Sequence, residues 1–398
     1  MKEICEEELT ELKGILEKEF PSLRKTITRN LSCLIFALIL LLRTYRGWYG
    51  RLTLSGIARC FPARATGKNR YKRLSRFLDN ENFQMIDLTK DLTHLISPEE
   101  NLLPVVVDQT AIRDVQVISA NVPIEGRSIP IAIFTFEYGK IKSSQNTLEE
   151  EFLTALSSNL PEGKVIVQIA DRGYMKSTLI KNRLGREELF IIRGRKDVTI
   201  TYRENGKTYR KSLGRLKHSQ EKPRRYRDCF YQGRKEIKVD VIVYRGKGFK
   251  EPWFLLVPSG KEDILPTEIV VKFYRRRMRI EVTFRDFKSH LGVRGLSLKV
   301  RKRQRLDRLL GVMVLTYVLL LVLGIGEIGR LLRKRIEILR PKARHGTRKT
   351  LSVLTISLFA ISDTFLLTRD NLINVLTECF TLLQREKVFM LSSFECGL

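Results

Sequence analysis

Hydrophobic and polar positions divide the chain into three stretches with different periodicity. Apolar residues recur at spacings of three and four along residues 1–97, which predicts a helical region. From Pro104 the pattern changes to short runs rich in β-branched residues, which predict strands. From Pro266 helical spacing returns and continues through residues 327–398. A helical region, a mixed region and a second helical region therefore follow one another.

The mixed region predicts an α/β sheet with a definite order of elements. Three strands come first, followed by a helix, a strand, a second helix and a further strand. They are expected near residues 105–108, 115–120, 129–138, 147–160 and 164–170, then in a helical stretch after Asp171 to about Leu184, and near 189–193. Asp108 and Asp171 each close a hydrophobic run in this interpretation, so neighbouring strands would bring their carboxylates together. That order is the one expected of a ribonuclease H-like fold.

Residues 194–261 interrupt the alternation with a basic segment rich in strand patterns. Strands are expected near 199–202, 236–244 and 253–257. Between Arg193 and Lys250 there are 19 Lys and Arg against 6 Asp and Glu. Tyrosines alternate with these cations, a pattern that suits phosphates and unstacked bases. They are Tyr202, Tyr209, Tyr226, Tyr231 and Tyr244.

The charge of the whole chain points to a polyanionic partner. It has 73 Lys and Arg against 44 Asp and Glu, a formal net charge of +29. Such a surplus suits nucleic acid or an anionic membrane surface. Two apolar runs test the membrane alternative: Leu31–Leu42 is too short, whereas Leu309–Gly326 approaches the roughly 20 residues that a bilayer requires. Because basic residues flank the second run on both sides, a core helix is favoured and no membrane partner is expected.

The start of the chain and its cysteines favour a cytoplasmic protein. The first residues carry charges before any apolar run and show no signal-peptide pattern. The six cysteines are scattered, with no CxxC pair and no Cys/His grouping at zinc-ligand spacing. We therefore expect reduced thiols.

A helix-turn-helix pattern lies in the N-terminal region. The segment Leu52–Arg59 is followed by a second helical stretch with a row of cations. These are Lys68, Arg70, Lys72, Arg73 and Arg76. A basic helix of this kind is either a DNA-contacting helix or a solvated surface, and the sequence favours neither strongly.

Three carboxylates are the candidates for chemistry. Asp108 and Asp171 end predicted strands, and Glu281 lies in a helix dominated by arginines. Glu281 could simply pair with Arg277 or Arg285 one turn away. Alternatively, carboxylates from three elements converge and are held together by hard divalent cations. Oxygen ligands without His or Cys suit Mg²⁺ or Mn²⁺, and two such ions support phosphoryl transfer.

The helix around Glu281 carries further polar groups on the same face. Tyr274, Arg277, Glu281 and Lys288 follow at spacings of three, four and seven residues, which places them on one side of an α-helix. A carboxylate flanked by two cations and a phenol is a suitable arrangement for holding a phosphodiester.

These residues resemble the signature of a large family of bacterial insertion-sequence transposases of the DDE type. Its pattern Tyr-x-x-Arg-x-x-x-Glu-x-x-x-x-x-x-Lys is filled without a departure. The segments Asp108-Gln-Thr and Asp171-Arg-Gly-Tyr, each after a hydrophobic strand, resemble that family's two aspartate motifs. The resemblance covers about residues 104–326 and is weak outside them.

The resemblance implies a fold, a reaction and partners. It implies a ribonuclease H-like core with a β-rich insertion, and an enzyme that cuts and pastes DNA through hydrolysis at element ends, hairpin formation and strand transfer. Asp108, Asp171 and Glu281 would bind two Mg²⁺ ions, with Mn²⁺ as a substitute. The partners would be the inverted repeats at the element ends, target DNA and a second copy of the chain in a homodimer. The protein would act in the bacterial cytoplasm, at the nucleoid.

The resemblance also implies DNA contacts. Tyr274, Arg277 and Lys288 would touch transposon-end DNA near the cut, and Arg172 would assist them. Trp253 matches a tryptophan on which some members stack a flipped base, although a core tryptophan in a strand is an equally good interpretation.

Domain boundaries follow from these assignments. A helical region at 1–97 would bind DNA ends, and 104–193 together with 262–326 would form the catalytic core. The basic insertion would span 194–261, and the helical region 327–398 would dimerise. The roles of the two helical regions rest on family analogy alone.

Two rival functions fit parts of the pattern. A DNA-binding or repressor protein would use the charge surplus with purely structural carboxylates, because counterion release gives any such surface affinity for DNA. A structure-selective nuclease on the same fold would nick DNA without strand transfer.

Overall fold

The computed structural model describes residues 9–44, 52–96, 101–124, 126–140, 144–296, 303–338, 351–363, 367 and 369–385. Within them, five helices precede the first strand. They are α1 (Thr10–Glu19), α2 (Lys25–Thr44), α3 (Leu54–Cys60), α4 (Gly67–Leu78) and α5 (Thr89–Ile96).

Helices α3 and α4 form at the position of the helix-turn-helix pattern. The hydroxyl of Thr53 accepts a hydrogen bond from the amide of Gly56 at the start of α3, and Thr66 does the same for Asn69 at the start of α4. Leu74, Phe77 and Leu78 bury one side of α4. Its opposite side is exposed to solvent.

The mixed region forms β1 (Leu102–Ile112), β2 (Val115–Ile124), β3 (Arg127–Phe136), α6 (Gln145–Ser158), β4 (Val165–Ala170), α7 (Ser177–Gly185) and β5 (Leu189–Arg193). These elements follow the order expected from the sequence. The first three strands are antiparallel neighbours, and β4 lies parallel to β1 and to β5. The chain therefore has a mixed α/β architecture.

Asp108 does not end its strand, which corrects the sequence interpretation. β1 continues to Ile112 because it pairs with β2 up to the turn that joins them, with Ile112 opposite Val115. The parallel pairing with β4 stops earlier, at Val107 opposite Ala170. Asp108 and Asp171 are thus each one residue beyond the last parallel pair.

The basic segment continues the same sheet. It contributes β6 (Thr199–Glu204), β7 (Lys207–Ser212), β8 (Arg224–Tyr231), β9 (Lys238–Tyr244) and β10 (Trp253–Pro258). The strands run in the order β3-β2-β1-β4-β5-β10-β9-β8-β6-β7 across one ten-stranded sheet of the described residues. β10 pairs antiparallel with β5, which joins the segment to the core strands.

Four of the five tyrosines of this segment are core residues, contrary to the expectation that they stack on bases, and Tyr209 is partly buried. Tyr202, Tyr226, Tyr231 and Tyr244 are each at most 5% exposed. Tyr202 packs against Tyr226 and Tyr209 with ring centroids 5.1 and 5.5 Å apart. In β6 and β8, tyrosines occupy buried positions while cations occupy neighbouring exposed positions, as the alternating faces of a strand allow.

After the sheet, the chain returns to helices. The described elements are α8 (Thr267–Arg275), α9 (Arg279–Arg285), α10 (Arg303–Ile325), α11 (Glu327–Ile338), α12 (Val353–Ser362) and α13 (Arg369–Arg385). A 3₁₀ turn at Arg276–Met278 separates α8 from α9, and a π-helical turn at Asp286–His290 follows α9.

Helix α10 is the central helix of the C-terminal part. It packs against α2, α11, α12 and α13 and against β3. Both α2 and α10 are long and apolar enough to cross a bilayer, but 94% of the most apolar window of α10 is buried by other parts of the protein. Since the core helix of a globular protein has the same composition, these two helices are weak indications of a membrane span.

The described cysteines are free. They are Cys33, Cys60, Cys229 and Cys379. Cys5 and Cys396 lie outside the described residues.

Candidate active site

Two aspartates lie side by side at one edge of the parallel strands. Asp108 follows Val107 in β1, and Asp171 follows the last residue of β4. One oxygen of Asp108 accepts the amide hydrogen of Gln109 at 2.8 Å, and one oxygen of Asp171 accepts that of Arg172 at 2.7 Å. The backbone therefore orients both carboxylates in the same way.

Arg277 joins these aspartates to Glu281. Its Nη1 lies 3.2 Å from Asp108 Oδ2 and 3.9 Å from Asp171 Oδ2, and its Nη2 lies 2.8 Å from Glu281 Oε1. The arginine side chain is only 8% exposed, whereas those of Asp171 and Glu281 are 40% and 48% exposed. One guanidinium thus sits among three carboxylates from β1, β4 and α9.

The proton affinity of Asp108 reflects this crowding. Burial raises the pKa of Asp108, and repulsion from Asp171 and Glu281 acts in the same direction. The Gln109 amide and Arg277 oppose the rise. The three carboxylates are therefore close enough to repel one another, and a positive charge between them relieves that repulsion.

Tyr274 and Trp253 pack together beside this group. Their rings meet edge-on with centroids 4.9 Å apart, and Phe249 lies 4.7 Å from Trp253. Tyr274 is 2% exposed, and burial raises its pKa to about 12. Trp253 is half-buried in the aromatic cluster, so part of its surface remains open to solvent.

Lys288 reaches the same edge of the sheet from the π-helical turn. Its Nζ donates to Thr110 Oγ1 at 2.6 Å, two residues beyond Asp108 on β1. Burial lowers the pKa of Lys288, and Arg294 adds to this. The helix bearing Glu281 is thereby tied to the strand bearing Asp108.

Arg172 has a partner that the sequence did not indicate. Glu251, just before β10, forms ion pairs with Arg172 and with Arg193, the latter at 2.8 Å. Glu251 is 46% exposed, and the hydrogen bond from Arg172 lowers its pKa. No local motif marks Glu251, because it lies in a turn 79 residues from Arg172.

The donor set suits a divalent cation. Three carboxylates that face one another and already attract a guanidinium supply the hard oxygen ligands that Mg²⁺ and Mn²⁺ prefer. In the described ranges, no three His, Cys, Asp or Glu side chains are arranged to hold a metal as they stand. Arg277 supplies the positive charge that lies among the three carboxylates.

One comparison with known proteins found a family match. Residues 133–319 match the family model described as the transposase DDE domain, a little under half of the chain. The match includes Asp171, Glu281 and the Tyr274–Lys288 segment, whereas Asp108 precedes it. A search of curated proteins returned no match. Transposases of this family generally use divalent metal ions and act on DNA. The match therefore supports a DDE-type transposase that acts in DNA transposition.

Proposed function

We propose that this protein is a cut-and-paste DNA transposase of the hairpin-forming type with the Tyr-Arg-Glu-Lys signature. The observation that carries the proposal is the convergence of Asp108, Asp171 and Glu281 around Arg277. Asp171 and Glu281 repel Asp108, and hard divalent cations between the three carboxylates would relieve that repulsion.

The strand order supports a ribonuclease H-like core. Three antiparallel strands are followed by β4 and β5, both parallel to β1, in the order β3-β2-β1-β4-β5. Helices α8 and α9 then return to this sheet and bring Glu281 to the edge where Asp108 and Asp171 lie. The insertion 194–261 separates Asp171 from Glu281 in the chain without separating them in space.

Asp108, Asp171 and Glu281 would hold two Mg²⁺ ions, or Mn²⁺ in their place. When bound, such ions activate the attacking oxygen and stabilise the leaving oxygen of a phosphodiester. The protein's part is to orient the carboxylates, which the amides of Gln109 and Arg172 do for the two aspartates. The partly exposed faces of Asp171 and Glu281 leave a path for DNA.

The proposed reaction has four steps. Water first hydrolyses the strand at the element end. The freed 3′-hydroxyl then attacks the opposite strand and forms a hairpin. A second water hydrolyses the hairpin, and the 3′-hydroxyl released by that step attacks target DNA and joins the end to it. Arg277, Lys288 and Arg172 would bind phosphates through charge-assisted hydrogen bonds, while Tyr274 and Trp253 would contact the end of the element.

The helical regions would supply recognition and assembly. Lys68, Lys72 and Arg76 lie on the exposed side of α4, one turn apart, and would bind element-end DNA. Arg70 and Arg73 are engaged within the fold, with Arg73 Nε donating to Asn30 at 2.9 Å. The helices after residue 327 would form the homodimer that brings two ends together.

The test is product analysis on a labelled duplex that carries the inverted repeats flanking the gene, in Mg²⁺ and in Mn²⁺. The proposal expects nicking, a hairpin product and joined target DNA. Nicking without hairpin or strand transfer would instead assign a nuclease. Metal-independent binding with no cleavage would assign a DNA-binding protein and overturn the proposal.

A further inference from the structure

A second buried charge lies just beyond Glu281 and outside the site described above. Asp286, the first residue of the π-helical turn, is fully buried. Its Oδ2 accepts hydrogen bonds from Arg127 Nε at 2.5 Å and from the Tyr317 hydroxyl at 3.0 Å. A buried carboxylate is costly unless it is paired in this way, so the three side chains form one fixed unit.

Thr283 anchors the same helix one turn earlier. Its hydroxyl donates to the carbonyl of Ser128 at 2.9 Å and accepts the amide hydrogen of Ser128 at 3.0 Å. Ser128 and Arg127 are the first two residues of β3. Thr283 and Asp286, three residues apart, therefore fasten α9 and its continuation to the start of a strand in the catalytic sheet.

Tyr317 extends this anchor to the central helix. It projects from α10, is fully buried, and its ring meets that of Phe287 with centroids 5.1 Å apart. The segment that carries Glu281 and Lys288 is thus held by β3 on one side and by α10 on the other.

We propose that Asp286, with Arg127 and Tyr317, is the positioning device that keeps Glu281 opposite Asp108 and Asp171 when Arg277 is displaced. The inference rests on the proposed function. Arg277 and a divalent cation cannot occupy the same space among the three carboxylates. Because Glu281 is half exposed, its position in the cation-bound site must come from its helix, and Asp286 and Thr283 fix that helix.

The experiment measures Mn²⁺ binding to the DNA-free protein by titration calorimetry. Tyr317→Phe removes one hydrogen bond to Asp286 and keeps the ring. Thr316→Val is the matched control, because Thr316 is buried in the same helix and its hydroxyl donates to Val312 of that helix. Side chains that hydrogen-bond a metal ligand directly are typically worth about 10–100-fold in metal affinity. Tyr317 acts one step further out, through Asp286, so Tyr317→Phe should weaken Mn²⁺ binding by about three- to tenfold, and Thr316→Val should not.

A second comparison separates positioning from general destabilisation. In a Glu281→Gln background, Tyr317→Phe should have no further effect on Mn²⁺ affinity, because the anchor acts through Glu281. Equal Mn²⁺ affinities of Tyr317→Phe and Thr316→Val, with matched thermal midpoints, overturn the inference. A loss of Mn²⁺ affinity on Tyr317→Phe that persists in the Glu281→Gln background also overturns the inference. Where Tyr317→Phe fails to fold, Thr283→Val takes its place.

Failure of the proposed function gives a different result. If the wild type binds no Mn²⁺, or if the Asp108→Asn variant binds Mn²⁺ as tightly as the wild type does, the carboxylates are not a metal site. That result would contradict both the proposed metal chemistry and the positioning role of Asp286, Arg127 and Tyr317. If only the Tyr317 comparison fails, the metal site stands and the anchor is structural alone.

Discussion

At the scale of single residues, carboxylates hold the cations around the candidate active site. Arg277 is enclosed by three of them, and Glu251 holds Arg172 and Arg193 at the surface nearby. A DNA phosphate that bound these two arginines would compete with Glu251 for the same donors. Glu251 is therefore expected to oppose DNA binding.

Glu251→Gln should tighten DNA binding. The amide removes the negative charge that pairs with Arg172 and Arg193. Exposed ion pairs of this kind are worth about 0.2–1 kcal/mol, so the Kd for DNA should fall by a factor of about 1.4 to 5. Fluorescence anisotropy with labelled DNA at low salt measures the Kd. Glu262→Gln is the control, since it makes the same charge change at an exposed pair with Arg227. Unchanged or weaker binding by Glu251→Gln relative to that control contradicts the expectation.

Asp307 is expected to make stability depend on pH. Burial raises its pKa to about 7, although Thr135, Arg303 and Arg308 oppose the rise. The folded protein therefore holds this proton more tightly than the unfolded chain does. The resulting stabilisation is present below about pH 4 and is lost, at about 1.4 kcal/mol per pH unit, as the pH rises towards 7.

The measurement for Asp307 is thermal unfolding of the wild type and Asp307→Asn between pH 5 and 8. The midpoint of the variant should rise relative to that of the wild type across this range, because the amide has no proton to lose. Asp197→Asn is the control, since the Asp197 side chain is 71% exposed. A constant difference between Asp307→Asn and wild type over the range would show that Asp307 ionises normally.

At the scale of elements, local pattern predicts the strands of the core because each is a β-branched run bounded by turn residues. β4 and β5 lie within a residue of their expected limits. The predicted end of β1 was wrong, since polar Gln109 and Thr110 follow the β-branched run and the strand is continued by its pairing with β2. Local pattern also does not predict the 3₁₀ and π-helical turns around α9, because it indicated one continuous helix from Pro266 past Lys288.

Two glycines of α10 should respond oppositely to alanine. A Cβ on Gly324 would lie 2.5 Å from the carbonyl oxygen of Val353 in α12, so the helices must separate, at a cost of about 1–3 kcal/mol. At Gly311 the nearest atoms, from Met85 and Phe83, are 3.4 Å away. Gly311→Ala should therefore be neutral or stabilising by up to about 1 kcal/mol.

Chemical denaturation of Gly324→Ala and Gly311→Ala measures the change in the free energy of unfolding that each substitution causes. A loss of stability in Gly324→Ala alone supports the close crossing of α10 and α12. Equal effects of the two substitutions would contradict that packing, because the same change of residue is made in the same helix.

At the scale of the whole molecule, the basic segment and the core strands share one continuous sheet. The sequence predicted β6, β9 and β10 of the segment but neither β7 nor β8. It also did not predict that β10 would pair with β5, since pairing between distant strands leaves no local signal. For the same reason it misjudged the tyrosines, whose burial depends on which face the sheet covers. The candidate carboxylates were predictable because each stands in a distinctive local pattern. Glu251 and Arg127 were not.

The charge of the molecule predicts salt-dependent DNA binding, with α4 as one contact. Replacing Lys68, Lys72 and Arg76 with Gln should reduce the slope of log affinity against log salt by about 0.9 for each lost phosphate contact, or roughly 2.7 in total. The control replaces three exposed cations of α11, namely Arg330, Lys334 and Arg335.

Filter binding at several salt concentrations measures both slopes. The control variant has the same net charge as the α4 variant, so an equal reduction in both would mean that α4 attracts DNA only through its share of the total charge. A reduction confined to the α4 variant locates a phosphate contact on that helix.

The central claim is that Asp108, Asp171 and Glu281 form one metal-dependent cleavage site. The most direct measurement is Mn²⁺-dependent cleavage of the labelled end duplex by wild type, Asp108→Asn, Asp171→Asn and Glu281→Gln, with DNA binding measured in parallel and Asp197→Asn as control. We predict cleavage by wild type and control, and none by the three variants although each still binds DNA. Cleavage that survives any one of the three substitutions would contradict the account.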